Sequence, residues 1–119
     1  MWYRLIDIQS KAESGIRAVI QVPGDSPWFD GHFPGEPVLP GVAQISMVFD
    51  VIQKASECER GVSRINRVRF KRIVRPDDLL TVVAVPLEKE ADAYSFLIKI
   101  LGDLVCSGVM RLKSKPHSS

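Results

Sequence analysis

VAQISMVFDVIQKASECE, residues 42 to 59, contains neither Pro nor Gly. It is bracketed by Pro40-Gly41 before it and Gly61 after it, which are start and stop signals for a helix. Val42, Ile45, Met47, Val48, Phe49, Val51 and Ile52 spread over most of the circumference. A helix apolar nearly all round belongs in an interior. Ser46, Asp50, Gln53 and Glu57 interrupt this pattern at helical spacing and share one narrow polar face. A buried helix with a polar stripe needs a reason for the stripe.

Outward from this helix the chain is strand-like. Residues 2–9 and 15–22 are expected as strands, the second with Ile16, Ala18 and Ile20 opposing Arg17, Val19 and Gln21. KAES makes a polar turn between them. From 23 to 41 run five Pro and four Gly, a composition that excludes both helix and strand. Beyond the helix, residues 64–74, 79–90, 93–102 and 104–113 read as strands, separated by Pro76-Asp77-Asp78, Glu90-Ala91-Asp92 and Gly102-Asp103. The order is two strands, a long loop, a buried helix and three or four more strands. That is an α+β fold in which a mostly antiparallel sheet must curl to cover every apolar face of the helix.

At 119 residues the chain is the size of one domain. We expect that domain over 1–112, with 113–119 as a polar tail in which His117 has no role. A net charge of +2 does not call for nucleic acid. Cys58 and Cys106 show no metal-like spacing, so the expectation is two inert thiols in a reducing compartment. The N-terminus lacks a long apolar segment and no apolar run is long enough to span a bilayer, so the expected location is cytoplasmic.

The chemistry-bearing stretch is GHFPGEPVLPGV, residues 31–42, with one His, three Pro and three Gly. A lone His is more often structural than catalytic. His32, however, sits in a loop, where functional groups concentrate, and Pro and Gly stiffen the backbone around it. Pro40-Gly41 then delivers the chain to a helix N-terminus, whose free N–H groups can meet a carbonyl oxygen that becomes negative. A His base beside such an end suits proton abstraction next to a thioester carbonyl. There is neither GxGxxG nor GxxxxGK[ST], so phosphate binding is not indicated.

FDGHFPGEPVLPGV resembles the signature loop of the hot-dog-fold 3-hydroxyacyl-[acyl-carrier-protein] dehydratases of fatty-acid synthesis. INRVRFKRIVRPDDLL, residues 65–80, is similar to that family's second characteristic strand and turn, and the resemblance covers about residues 5–112. It implies a hot-dog fold, a curled antiparallel sheet around one long helix. It also implies a homodimer, or a higher even oligomer, with two active sites at the subunit interface. The substrate would be an acyl-carrier-protein or acyl-CoA thioester. No metal or other cofactor is implied, since phosphopantetheine arrives as part of the substrate.

The resemblance assigns the α-proton base to His32 and the carbonyl-binding N–H to Gly41. The family's helix acid, given by the partner subunit, falls at Ser46, which is no carboxylic acid. One turn on, where the family commonly has Gln, this chain has Asp50. Three readings follow. Asp50 is a displaced acid, acting directly or through Ser46 or a water; one turn is about 5.4 Å. Alternatively the site is that of a thioesterase, with Asp50 or Ser46 placing water. Or the protein binds acyl thioesters without turning them over. Asp50 also admits a purely structural role as an internal hydrogen-bonding group or a partner for an Arg.

Phe33, Val42 and Phe49, with Ile45 and Trp28, are candidates either for walls of an acyl tunnel or for core. Arg64, Arg67, Arg69, Lys71, Arg72 and Arg75 put six positive charges into twelve residues. Alternation puts Arg67, Arg69 and Lys71 on one face opposite Val68 and Phe70. Such a run is usually a solvated sheet face; its functional reading is docking of an acidic carrier protein or its phosphopantetheine phosphate.

Overall fold

The computed structural model describes residues 2–11, 15–30, 37–56, 60–90 and 92–114. Within them the chain forms strands β1 (Arg4–Lys11) and β2 (Gly15–Gln21), helix α1 (Gly41–Ser56), and strands β3 (Val62–Phe70), β4 (Leu79–Pro86), β5 (Ala93–Ile100) and β6 (Asp103–Leu112). The strands form one antiparallel sheet in the order β1-β2-β4-β5-β6-β3. The long loop is not wholly irregular, since Pro27–Phe29 make one 3-10 turn with Pro in its first position.

Alternation decides which face is covered. Ile16, Ala18 and Ile20 of β2 point inward, as the sequence indicates, and Leu80, Val82 and Ala84 of β4 join them. Phe96, Ile98 and Ile100 of β5 and Val105, Cys106, Met110 and Leu112 of β6 add to the sheet's contribution. Against these pack Ala43, Met47, Val48, Val51 and Ile52 of α1. Burying one such aliphatic side chain stabilises the fold by about 1.5–3 kcal/mol.

The expectation that the sheet covers every apolar face of α1 does not hold. Val42 is 67% exposed, and Ile45, Ser46, Phe49, Asp50 and Gln53 are only half-buried. One open sheet of six strands covers about half of a helix's circumference. The other half, mixed apolar and polar, is left uncovered within this chain.

Strand β3 also departs from expectation. It ends at Phe70 rather than at residue 74, and its pairing with β6 slips between Asn66 and Arg69. Arg67 sits at the slip with φ of 57°, a left-handed conformation that marks a bulge. A bulge breaks period-2 alternation, and Lys71 lies beyond the strand, so Arg67, Arg69 and Lys71 do not form one uninterrupted face. All three are exposed.

No helix among the described residues is long and apolar enough to cross a membrane.

Candidate active site

The helix opens at Gly41, directly after Pro40. The N–H groups of Ala43 and Gln44 meet the Pro40 carbonyl at 3.1 and 3.2 Å. The two N–H groups ahead of them, on Gly41 and Val42, have no carbonyl within the helix to meet. The approach to this end is fixed by Leu39 N–H donating to the Val74 carbonyl at 2.8 Å. Gln44, almost fully buried, donates from Nε2 to the Leu39 carbonyl at 3.4 Å and helps hold the same turn.

Phe70, at the end of β3, stands against Gly41. A Cβ on residue 41 would lie 2.6 Å from the Phe70 ring tip, so any larger residue there requires the ring to swing aside. The end of the basic strand is thereby joined to the start of the helix. Phe70 is 51% exposed, an apolar ring left open beside the helix N-terminus. Sequence reasoning placed Phe70 only as a strand residue. The contact is between segments 29 positions apart and leaves no local signal.

The polar stripe divides into three cases. Gln53 is structural: Arg60 N–H donates to its Oε1 at 3.1 Å, and its Nε2 donates to the Arg60 carbonyl. Asp50 accepts a hydrogen bond from the Tyr3 hydroxyl on Oδ2 at 2.9 Å. Ser46, half-buried on the same uncovered side, shares no hydrogen bond with Asp50 among those of the described residues. Asp50 is the one carboxylate in the sequence of Gly41–Ser56. It lines an open cleft of about 470 Å³ together with Phe49, Gln53, Arg60 and Gly61.

Tyr3 was missed by sequence reasoning. It is 3% exposed, and Trp2 meets its ring edge-on at a centroid distance of 4.9 Å. Trp2 in turn packs on Trp28 at 5.8 Å, and the Lys54 ammonium lies 5.6 Å from the Tyr3 ring centroid. Burial, and then the hydrogen bond to Asp50, push the Tyr3 phenol well above its ordinary value. The group remains a proton donor in its hydrogen bond at any working pH. A Trp-Tyr pair ahead of the first strand was the only available signal.

Behind the cleft, Arg60 is buried and its guanidinium pairs with Asp92, tying the start of β3 to the start of β5. Cys106 is buried in the core, and burial pushes its thiol up to about 11, which fits the expectation of an inert thiol. His32, Phe33 and Cys58 lie outside the described residues, as do Glu57 of the polar stripe and residues 115–119 of the expected tail. The structure thus brings Gly41, Val42, Ser46, Phe49 and Asp50 onto one uncovered helix face and sets Phe70 at its head.

A family model for ApeI-like proteins, described as ApeI dehydratase, matches residues 8–109. The chain belongs to this dehydratase family. It is similar to the 3-hydroxyacyl-[acyl-carrier-protein] dehydratase FabZ of Caldicellulosiruptor bescii, with 30% identity over 89% of this chain and 84% of the relative. The corresponding Yersinia enterocolitica protein is also 30% identical, over 98% of this chain and 78% of its own length. Among solved structures, a chain of the dehydratase heterocomplex ApeI:P from Xenorhabdus doucetiae superposes with a TM-score of 0.84 at 26% identity, covering 96% of this chain and all of that one. A hypothetical thioesterase from Streptococcus pneumoniae, solved with coenzyme A, reaches a TM-score of 0.61 at 12% identity and shares the fold alone. The fold is the hot-dog fold expected from the resemblance, and the family's chemistry makes this chain a dehydratase-like lyase.

Proposed function

We propose that this protein removes water from a 3-hydroxyacyl thioester carried on acyl carrier protein or CoA, giving the 2-enoyl thioester. His32 takes the α-proton. The Gly41 N–H binds the thioester carbonyl as it gains negative charge. Asp50 protonates the departing hydroxyl, with Ser46 beside it on the same helix face. Elimination of water changes no net oxidation state, so the reaction calls for no redox cofactor. Phosphopantetheine enters with the substrate.

The single observation that carries this reading is the uncovered helix face that leaves Asp50, with Ser46 one turn before it, open to a second copy. Asp50 is the only carboxylate within Gly41–Ser56. It takes the task that the family's acid would perform from the position of Ser46.

The same face supports assembly as a homodimer. Val42, Ile45 and Phe49 are apolar and incompletely covered, and β3 is an edge strand with Ile65 39% exposed. A second copy would cover these groups and place its helix beside the first copy's loop. Phe33, Val42 and Phe49 would then line the acyl passage. Arg67, Arg69 and Lys71, all exposed, would dock an acidic carrier protein or its phosphopantetheine phosphate through complementary charge. The location proposed is the cytoplasm.

The test is turnover by the purified protein of 3-hydroxyacyl, 2-enoyl and saturated acyl thioesters. Interconversion of the first two supports the proposal, and its loss in His32→Ala assigns the base. Sedimentation velocity reports the dimer, and a monomer at working concentration would contradict that part.

A further inference from the structure

We propose that Tyr3 is a positioning residue for the dehydration, holding one carboxyl oxygen of Asp50 so that the other faces the substrate hydroxyl. The proposal rests on the reading of Asp50 as the acid.

Asp50 has a planar carboxyl on a short side chain. Once Oδ2 is fixed by the Tyr3 hydroxyl at 2.9 Å, the direction of Oδ1 is fixed too. Tyr3 can do this because it does not move freely. Its ring is buried, bounded by Trp2 and approached by Lys54. Trp2 rests on Trp28 in the 3-10 turn that leads to the His32 loop. The N-terminal segment therefore braces both the helix acid and the approach to the loop. The carboxyl is not sealed by this contact, since Asp50 lines the open cleft with Phe49, Gln53, Arg60 and Gly61. Tyr3, Lys54 and Arg60 are the titratable groups set around it from the N-terminal segment, the helix and the start of β3.

The proton balance is as follows. Neutral Asp50 accepts from Tyr3 at Oδ2 and carries its proton on Oδ1. His32 removes the α-proton, and the C–H electron pair becomes the new C=C bond. The C–O bond breaks with its electrons on oxygen, which takes the Oδ1 proton and leaves as water. Asp50 ends as carboxylate and His32 as imidazolium, and the proton returns through solvent. The Tyr3 bond is stronger to the carboxylate than to the neutral acid. It therefore favours the transition state over the ground state.

The experiment compares wild type, Tyr3→Phe and Asp50→Asn on the 3-hydroxyhexanoyl thioester of N-acetylcysteamine, across pH. Tyr3→Phe is expected to lower kcat about tenfold with KM unchanged. Its high-pH limb, where the acid loses its proton, is expected to move to higher pH, because the carboxylate has lost a donor. A limb that stays in place overturns the proposal, whether the rate is unchanged or falls only with the amount of folded protein. If Asp50→Asn retains full turnover, the Asp50 reading falls and takes this one with it. If Asp50→Asn is inactive and the Tyr3→Phe limb is unmoved, only the Tyr3 role is lost. Should Tyr3→Phe fail to fold, 3,5-difluorotyrosine at position 3 keeps the shape and donates more strongly. The limb is then expected at lower pH, and an unmoved limb overturns the proposal.

Discussion

The Tyr3 hydroxyl and the Asp50 carboxylate meet at 2.9 Å across 47 positions of sequence. This bond gives the one carboxylate within Gly41–Ser56 a defined orientation on the face that the sheet leaves uncovered. It also separates Asp50 from Gln53, whose polar groups are spent on the backbone of Arg60.

Asp50→Asn keeps an oxygen for Tyr3 to donate to and removes the transferable proton. The folded state should survive with a stability change under about 1 kcal/mol. The rate of 3-hydroxyacyl–enoyl interconversion should fall roughly 10²–10⁴-fold, the usual contribution of general acid catalysis. Enoyl absorbance and thermal melting together check this.

Ser46→Glu tests the family position. In an Asp50→Asn background it should restore turnover, because the side chain lies one turn nearer the helix start on the same uncovered face. No recovery in a folded double variant would mean that the pocket has reshaped around Asp50. The measurement is kcat of the single and double variants side by side.

Gly41→Ala places a methyl where the Phe70 ring tip now lies. The ring tip, the free end of a half-exposed side chain, must swing aside, at a cost of about 1 kcal/mol. Phe70→Ala in the same chain should relieve most of that cost. A double-mutant cycle on melting and on kcat/KM measures the coupling, which should exceed about 0.5 kcal/mol.

Arg60→Met leaves the partly buried Asp92 carboxylate without its partner and should destabilise the protein by about 2–3 kcal/mol. Chemical denaturation checks it. Activity per folded molecule should fall less than in Asp50→Asn.

Burial raises the Cys106 thiol from 9.0 to about 11. A thiol whose folded value is raised stabilises the fold below its ordinary value and loses that contribution as pH rises toward the folded value. Relative to Cys106→Ala, wild type should therefore lose on the order of 2 kcal/mol between pH 9 and 11. Denaturation at both pH values, with the variant as reference, measures the difference.

Much of the fold was legible because it rests on local pattern. The period-2 alternation of Ile16, Ala18 and Ile20 and the helix that starts at Gly41 and runs without Pro or Gly to Ser56 are statements about neighbours in sequence. What the sequence left hidden is non-local or conformational. The left-handed Arg67 that interrupts β3 has no glycine to mark it, and the uncovered side of α1 depends on how far a six-stranded sheet can wrap. In the site, Gly41 and the stripe of Ser46, Asp50 and Gln53 were visible as spacing. Their different fates were not, because Tyr3 and Arg60 reach them from distant parts of the chain.

The central claim is that this chain eliminates water from a 3-hydroxyacyl thioester. The most direct measurement incubates the purified protein, and its His32→Ala variant, with 3-hydroxyacyl and 2-enoyl thioesters and follows both enoyl absorbance and free thiol. The account predicts interconversion without thiol release, abolished in His32→Ala. Thiol release without interconversion, or interconversion that survives His32→Ala, would contradict it.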